Sequence, residues 1–263
     1  MGVVTLGIST EVKTITNLAG EAASALKTSK PALEALARAE RLIESANVFA
    51  PARKYLDRLY TAYREGRIET SSVLKDIEKA ISDYPKIYER MRSIDSKKEA
   101  FEYLRVIPKK YFDETKKIFV DLSEADVMTW HGGMRTTNGR YSIGGSLGRE
   151  ALYTMRLGKD GQTFKEVEKI AVEEAGLINT PYHLAKDFVS AEKLLDLTDE
   201  AVRIKLGIKY DHLVQAMGDG NNAYQLPQVI GDIAKDLGFT HVLAPSVLKN
   251  SFDSLIHLAA PSL

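Results

Sequence analysis

The sequence predicts an α+β protein. An all-helical N-terminal region, residues 1–122, is followed by a domain over residues 123–263 built on a small mixed, largely antiparallel sheet. Three observations predict it. Up to about residue 120, apolar side chains recur at helical spacing and charges fill the other faces. Near Asp121 the texture changes: glycine becomes frequent and short β-leaning segments appear. Those segments and the helices between them are mixed in order rather than strictly alternating, which favours an α+β domain.

Within the helical region, Pro31 fits the first turn of a helix after Ser29, with Leu33, Leu36, Ala37 and Ile43 on one stripe. A second helix starts near Pro51, carries Tyr55, Leu56, Leu59, Tyr60 and Tyr63, and is placed to end at Gly66. Val73, Leu74, Ile77, Ile81 and Tyr84 form a third stripe, which Pro85 is expected to stop. Ser96 and Glu99 have capping-box spacing ahead of Phe101 and Leu104, and Tyr111, Phe112, Ile118 and Phe119 make a last helical stripe. At this spacing the tyrosines read as core. The region is a candidate delivery, adaptor or partner-binding segment.

In the second half, strands are expected at Val127 to Trp130, Ala151 to Met155, Leu194 to Leu197, His241 to Ala244 and Leu255 to Leu258. Helices are expected from Phe164 to about Ala175, after Thr198 until Gly207, and from Gln225 to Leu237 with Gly238 beyond it. Asp196 and Asp199 read as turn and capping residues.

Composition removes several classes of function. Across 263 residues, 36 Lys and Arg balance 36 Asp and Glu, so no global basic field favours nucleic acid. There is no cysteine, which excludes disulfides, cysteine zinc sites and a thiol nucleophile. No run is long enough to span a membrane, and Met1 to Ser9 lacks the basic flank and length of a signal peptide. The expectation is a cytoplasmic protein, of the producing cell or, if delivered, of a target cell.

The chemistry concentrates between Asn138 and Glu168, where a cation, two aromatics and a carboxylate gather around glycines. The turn G-G-S-L-G-R-E lacks the Lys-Ser/Thr ending of a P-loop and precedes a strand-like segment, so it is neither a P-loop nor a dinucleotide fingerprint. The five histidines show no zinc-ligand spacing on one helix, and no metal is expected. Ser246 is not in a G-x-S-x-G elbow. What remains is a set of Arg, Tyr, Glu and Ser residues suited to an anionic, aromatic, ribose-bearing ligand. Arginine offers a bidentate fork to phosphate, and a carboxylate stabilises a cationic sugar as a glycosidic bond breaks. Glu166 also lies three residues after Thr163, the spacing of a capping box, and Ser246 after Pro245 also reads as a turn or cap serine.

Four stretches in order carry a resemblance. They are G-R-Y-S at Gly139 to Ser142; A-L-Y-T at Ala151 to Thr154 with T-F-K-E-V at Thr163 to Val167; L-L-D-L-T-D at Leu194 to Asp199 with L-G-I at Leu206 to Ile208; and Y-Q-L-P-Q-V-I-G at Tyr224 to Gly231 with L-A-P-S at Leu243 to Ser246. Over about residues 127–259 the chain resembles the RES domain family, named for its Arg, Glu and Ser. The resemblance implies a fold related to ADP-ribosyltransferases and NAD as substrate. It also implies a toxin or effector paired with a neutralising antitoxin or immunity protein. Carried over, Arg140, Glu166 and Ser246 are the catalytic candidates. Tyr141, Tyr153, Arg135 and His131 are the NAD-binding candidates. Tyr141 replaces the family's usual Trp or Phe. The family has a further arginine on its first strand. The stretch matched to that strand reads V-M-T-W-H-G-G, which leaves His131 or Arg135 to fill the role. The activity implied is cleavage of the nicotinamide–ribose bond, as a glycohydrolase or phosphorylase. The alternatives are ADP-ribosyl transfer to a target protein and a non-catalytic RES-fold binding module.

Overall fold

The computed structural model describes residues 30–45, 49–65, 70–109, 112–113, 118–119, 138–139, 142–143, 152–159, 161–174, 177–214, 225–246, 248–249 and 251–258. Its helices and mixed sheet make an α+β fold, as the sequence predicts. Three helices come first: α1 (Lys30–Ser45), α2 (Ala50–Arg64) and α3 (Val73–Arg92). On α2 the buried stripe is the expected one, with Tyr55, Leu56, Leu59 and Tyr63, whereas on α1 Leu36 and Ile43 are buried as expected but Leu33 and Ala37 are exposed and Ala39 is buried instead. Pro85 does not stop α3, which runs on to Arg92. An interior proline costs about 3 kcal/mol. Here Tyr84, Ile87 and Met91 continue the buried stripe across it and offset that cost.

The region expected to stay helical then turns into sheet. Strand β1 (Lys97–Pro108) replaces the helix expected after Ser96, and β2 (Phe112–Asp113) pairs with β3 (Ile118–Phe119) where another helix was expected. The Lys- and Glu-rich sequence of β1 favours a helix locally, but long-range pairing decides otherwise. Phe101 and Tyr103 bury on one side, Leu104 and Val106 on the other. Lys98 meets Glu192 at 2.6 Å, and Glu102 meets Lys186 at 3.0 Å, across the strand pair. The sheet therefore begins at Lys97, ahead of the boundary expected near residue 122.

The remaining elements are β4 (Asn138–Gly139), β5 (Ser142–Ile143), β6 (Leu152–Arg156), α4 (Phe164–Glu174), β7 (Tyr182–Asp196), α5 (Glu200–Leu206), α6 (Tyr210–Val214), α7 (Gln225–Asp236), β8 (His241–Pro245) and β9 (Asp253–His257). Strands β1-β6-β9-β8-β7 close into a barrel in which only β7 and β8 run parallel. β7 is far longer than the Leu194 to Leu197 segment expected, because its first ten residues pair with β1, whose own sequence reads as helix. Gly207 ends α5 in the left-handed conformation (φ 71°), as its position predicts. A Cβ there would collide with the Arg90 guanidinium, which donates to the Leu206 carbonyl at 2.9 Å.

Three clusters pack the barrel. Phe101, Tyr103, Ala191, Leu194, Leu243 and Leu255 fill its inside. Leu104 and Met155 on the outside meet Val167, Ile170 and Ala171 of α4. Val242, Ala244 and Ile256 join α7 and the N-terminal helices in one continuous core. Polar bonds seal that junction: Tyr84 donates to Asp232 at 2.8 Å, Arg58 pairs with Asp232, and Gln225 donates to the Asp76 carbonyl at 2.5 Å. The helices are thus built into the barrel's packing and are not a loose attachment.

Candidate functional site

Of the seven residues singled out by sequence, Arg135, His131, Arg140 and Tyr141 lie outside the described residues, as does the expected strand Val127 to Trp130. Tyr153 is placed on β6, its backbone paired with Ile256 of β9, so the expected strand position holds.

Glu166 stands in the first turn of α4, exposed to solvent. Its carboxylate accepts from the Thr163 backbone N–H and from the Thr163 hydroxyl, both at 2.9 Å, while Thr163 Oγ1 accepts from the Glu166 N–H at 3.3 Å. This reciprocal pair is a capping box. The Thr163 N–H first, and its hydroxyl second, hold the Glu166 carboxyl below the usual carboxylate range.

Ser246 follows β8 and is fully buried. Its Oγ accepts from the N–H groups of Leu248 (3.2 Å) and Lys249 (3.4 Å), closing the turn toward β9, and donates to Glu174 at 2.5 Å. The other Glu174 oxygen accepts from Ser254 at 3.2 Å. The structure therefore brings Ser246 to Glu174 at the far end of α4 from Glu166. A sequence signal for Glu174 exists: it continues the buried stripe Val167, Ile170, Ala171 at helical spacing, and a carboxylate in such a stripe needs a partner.

Sequence reasoning also missed Arg105. It lies on β1, the first barrel strand, and β1 pairs with β6 through Tyr103↔Arg156 and Leu104↔Met155. Alternation along the strand puts Arg105 on the same side as Phe101 and Tyr103, inside the barrel. Carrying the register one pair further sets it beside Thr154. Burial lowers the guanidinium pKa from its ordinary value, opposed by the nearby Tyr103. The signal was the alternation F-E-Y-L-R-V, hidden by the helix-like charges around it.

Two polar groupings share the barrel interior. At one end Asp253, almost wholly buried, is held by Lys159 at 2.8 Å and Arg156 at 3.6 Å, and Arg156 reaches Glu99 at 3.5 Å while lying over the Phe101 ring. Toward the other end Tyr103, Thr154, His241 and His257 adjoin Arg105's position. A half-buried cation, an aromatic ring and imidazoles on one face of the sheet are groups that suit an anionic ligand bearing a ring. Among the described residues no three His, Asp or Glu side chains form a metal-binding group. Among them too, no helix is long and apolar enough to cross a membrane. Asp199 caps α5 through Ala201 N–H at 2.9 Å, and Asp196 accepts from Thr198, the turn and capping roles expected of both.

No family model matches the chain, and no curated protein does. Among solved structures, the crystal structure of the M. tuberculosis MbcT–MbcA toxin–antitoxin complex is similar over 66% of this chain and 82% of the matched chain, at 18% identity and a TM-score of 0.43. At that identity and score the likeness assigns no activity to this chain.

Proposed function

We propose that the chain is an NAD-consuming toxin or effector that cleaves the nicotinamide–ribose bond. The observation that carries the proposal is Arg105, a half-buried arginine on the first barrel strand, beside Thr154 of β6. The motif order already implied such an arginine. In this reading Arg105, with Arg140, grips the pyrophosphate, so neither His131 nor Arg135 need fill the first-strand role. The bond from ribose C1 to the nicotinamide nitrogen breaks, and nicotinamide leaves with the electron pair. A carboxylate, Glu166 by the motif, stabilises the oxocarbenium ion. Water then forms the new C–O bond and releases a proton, giving ADP-ribose. Phosphate as acceptor makes the enzyme a phosphorylase, and a protein side chain makes it an ADP-ribosyltransferase. NAD is the substrate and no metal takes part. The proposed partner is a neutralising antitoxin.

The test is purified full-length protein with NAD, with and without phosphate, and the products separated. Free nicotinamide together with ADP-ribose or its phosphate is the expected result. NAD left intact throughout removes the proposal.

A second reading, a non-catalytic binding module, is favoured by one observation. Glu166 is engaged in a helix cap and Ser246 is fully buried, each bonded within the fold. Saturable NAD binding without nicotinamide release identifies it.

A further inference from the structure

No hydrogen-bonding place on Ser246 is left for a ligand. Its Oγ gives its one hydrogen to Glu174 and accepts from the N–H groups of Leu248 and Lys249. A hydroxyl has one hydrogen and two lone pairs, so all three places are taken. The residue is also fully buried. What it does is shape the connection from β8 to β9. The Ser246 N–H donates to the Phe252 carbonyl at 2.8 Å, and the Phe252 N–H donates to the Lys249 carbonyl at 3.0 Å. Lys249 is thus held at its own N–H and at its own C=O, while the residue itself is exposed.

The Lys249 side chain stands on a fixed base. Its ammonium lies 5.0 Å from the centre of the Phe252 ring, and Phe252 clusters with Val167 and Ile170 of α4. A cation over a ring face keeps its charge. Among the described residues it makes no ion pair. The same connection is tied to the approach to α4, where the Gln162 side-chain amide donates to the Ser251 carbonyl. Glu166 follows in the first turn of that helix, exposed. The charge of Lys249 reaches it: after the N–H and the hydroxyl of Thr163, Lys249 also holds the Glu166 carboxyl down.

We propose that Lys249 is a ligand-contact residue, binding the phosphate carried by the nicotinamide-bearing ribose, and that Ser246 is a positioning residue that acts through it. The proposal rests on NAD as the ligand and on Glu166 as the carboxylate that meets the ribose. In NAD the carbon that loses nicotinamide and the carbon that carries the phosphate flank one ribose ring. A carboxylate at the first therefore leaves the phosphate one ring away, and Lys249 stands beside Glu166 with a charge to meet it. An ammonium meets phosphate as a point charge, without the planar fork that arginine brings. Lys249 holds the half of the pyrophosphate nearest the bond that breaks.

The test is nicotinamide release by the full-length protein, Lys249→Gln and Lys249→Arg. The substrates are NAD and nicotinamide riboside, which has the same bond and no phosphate. Calorimetric titration with ADP-ribose measures binding alongside, and decides the matter if riboside turnover is too slow to follow. Lys249→Gln should lower kcat/KM for NAD about 10- to 100-fold, the range for one charge-assisted hydrogen bond, and weaken ADP-ribose by a similar factor. Riboside turnover should stay at the parent's rate, and Lys249→Arg should recover most of the NAD rate. Ser246→Ala should slow NAD cleavage in the parent but little further in Lys249→Gln. Equal losses on NAD and riboside, or an unchanged Lys249→Gln in a parent that cleaves NAD, overturn this inference alone. An undiminished Ser246→Ala effect in Lys249→Gln overturns the link between the two residues. A parent that neither cleaves NAD nor binds ADP-ribose removes the NAD reading itself.

Discussion

Ser246 donates its hydroxyl hydrogen to Glu174, joining the end of β8 to the last residue of α4 across 72 residues of chain. The same oxygen accepts two backbone N–H groups, so its removal orphans both and takes one partner from the carboxylate. Ser246→Ala should lower stability by about 1–3 kcal/mol, the cost of leaving such groups unsatisfied. Urea unfolding of the full chain measures it, and a midpoint equal to the parent's would mean that the tie is idle.

Glu166 separates catalysis from capping. Glutamine also serves in a capping box, so Glu166→Gln should keep the fold at neutral pH. Under the proposed function it abolishes NAD cleavage. If the cap is its whole role, turnover persists. The stability sign is set by the lowered carboxyl pKa: the contribution is present above the unfolded value and lost as pH falls through the folded one. Acid titration of Glu166→Ala against the parent reads this directly.

Arg105→Lys should reduce kcat/KM for NAD by the equivalent of about 1.5–3 kcal/mol, because an ammonium lacks the paired planar donors of a phosphate fork. Arg140→Lys should behave alike, with His131→Ala and Arg135→Lys near the parent. Steady-state kinetics on the four variants decide the matter. A silent Arg105→Lys with a damaged His131→Ala or Arg135→Lys returns the first-strand role to the later segment.

A fragment of residues 122–263 should fail to fold. It lacks β1, which pairs with both β6 and β7 to close the barrel, and it uncovers Val229, Ile230 and Ile233 of α7. Circular dichroism and amide dispersion on the fragment test this. A folded, active fragment would make the shared core dispensable.

Gly207→Ala should destabilise by at least about 1–2 kcal/mol, the cost of an L-residue in the left-handed region. It should also displace Arg90 from the Leu206 carbonyl. Thermal unfolding of the variant is the measurement.

The sequence made legible those elements whose local pattern and tertiary role agree. α2, α4, α7, β6, β8 and β9 fall where periodicity and glycine put them. The errors in the long strands have one physical source. In β1 and the first part of β7, charged side chains pair across strands with residues some 80 to 100 positions away, so each strand alone looks like solvent-facing helix. The same disguise concealed Arg105. Pro85 misled because a continuing buried stripe overrode a local breaker. At the candidate site, motif order singled out Ser246 and Glu166, yet spacing cannot say which carboxylate of α4 meets the serine. That depends on where the helix lies against β8 and β9.

The place of β1 in the closed barrel has a consequence in time. Strand β1 emerges from the ribosome before each of its neighbours, and the ring closes only when β9 has been made. At ordinary synthesis rates the interval is on the order of ten seconds. Through it α1 to α3 wait for α7, and β1 is an unpaired edge with Phe101 and Tyr103 exposed. Whatever the barrel does begins only after β9, through His257, has been translated. A nascent chain in that interval is inert and is open to capture by a chaperone.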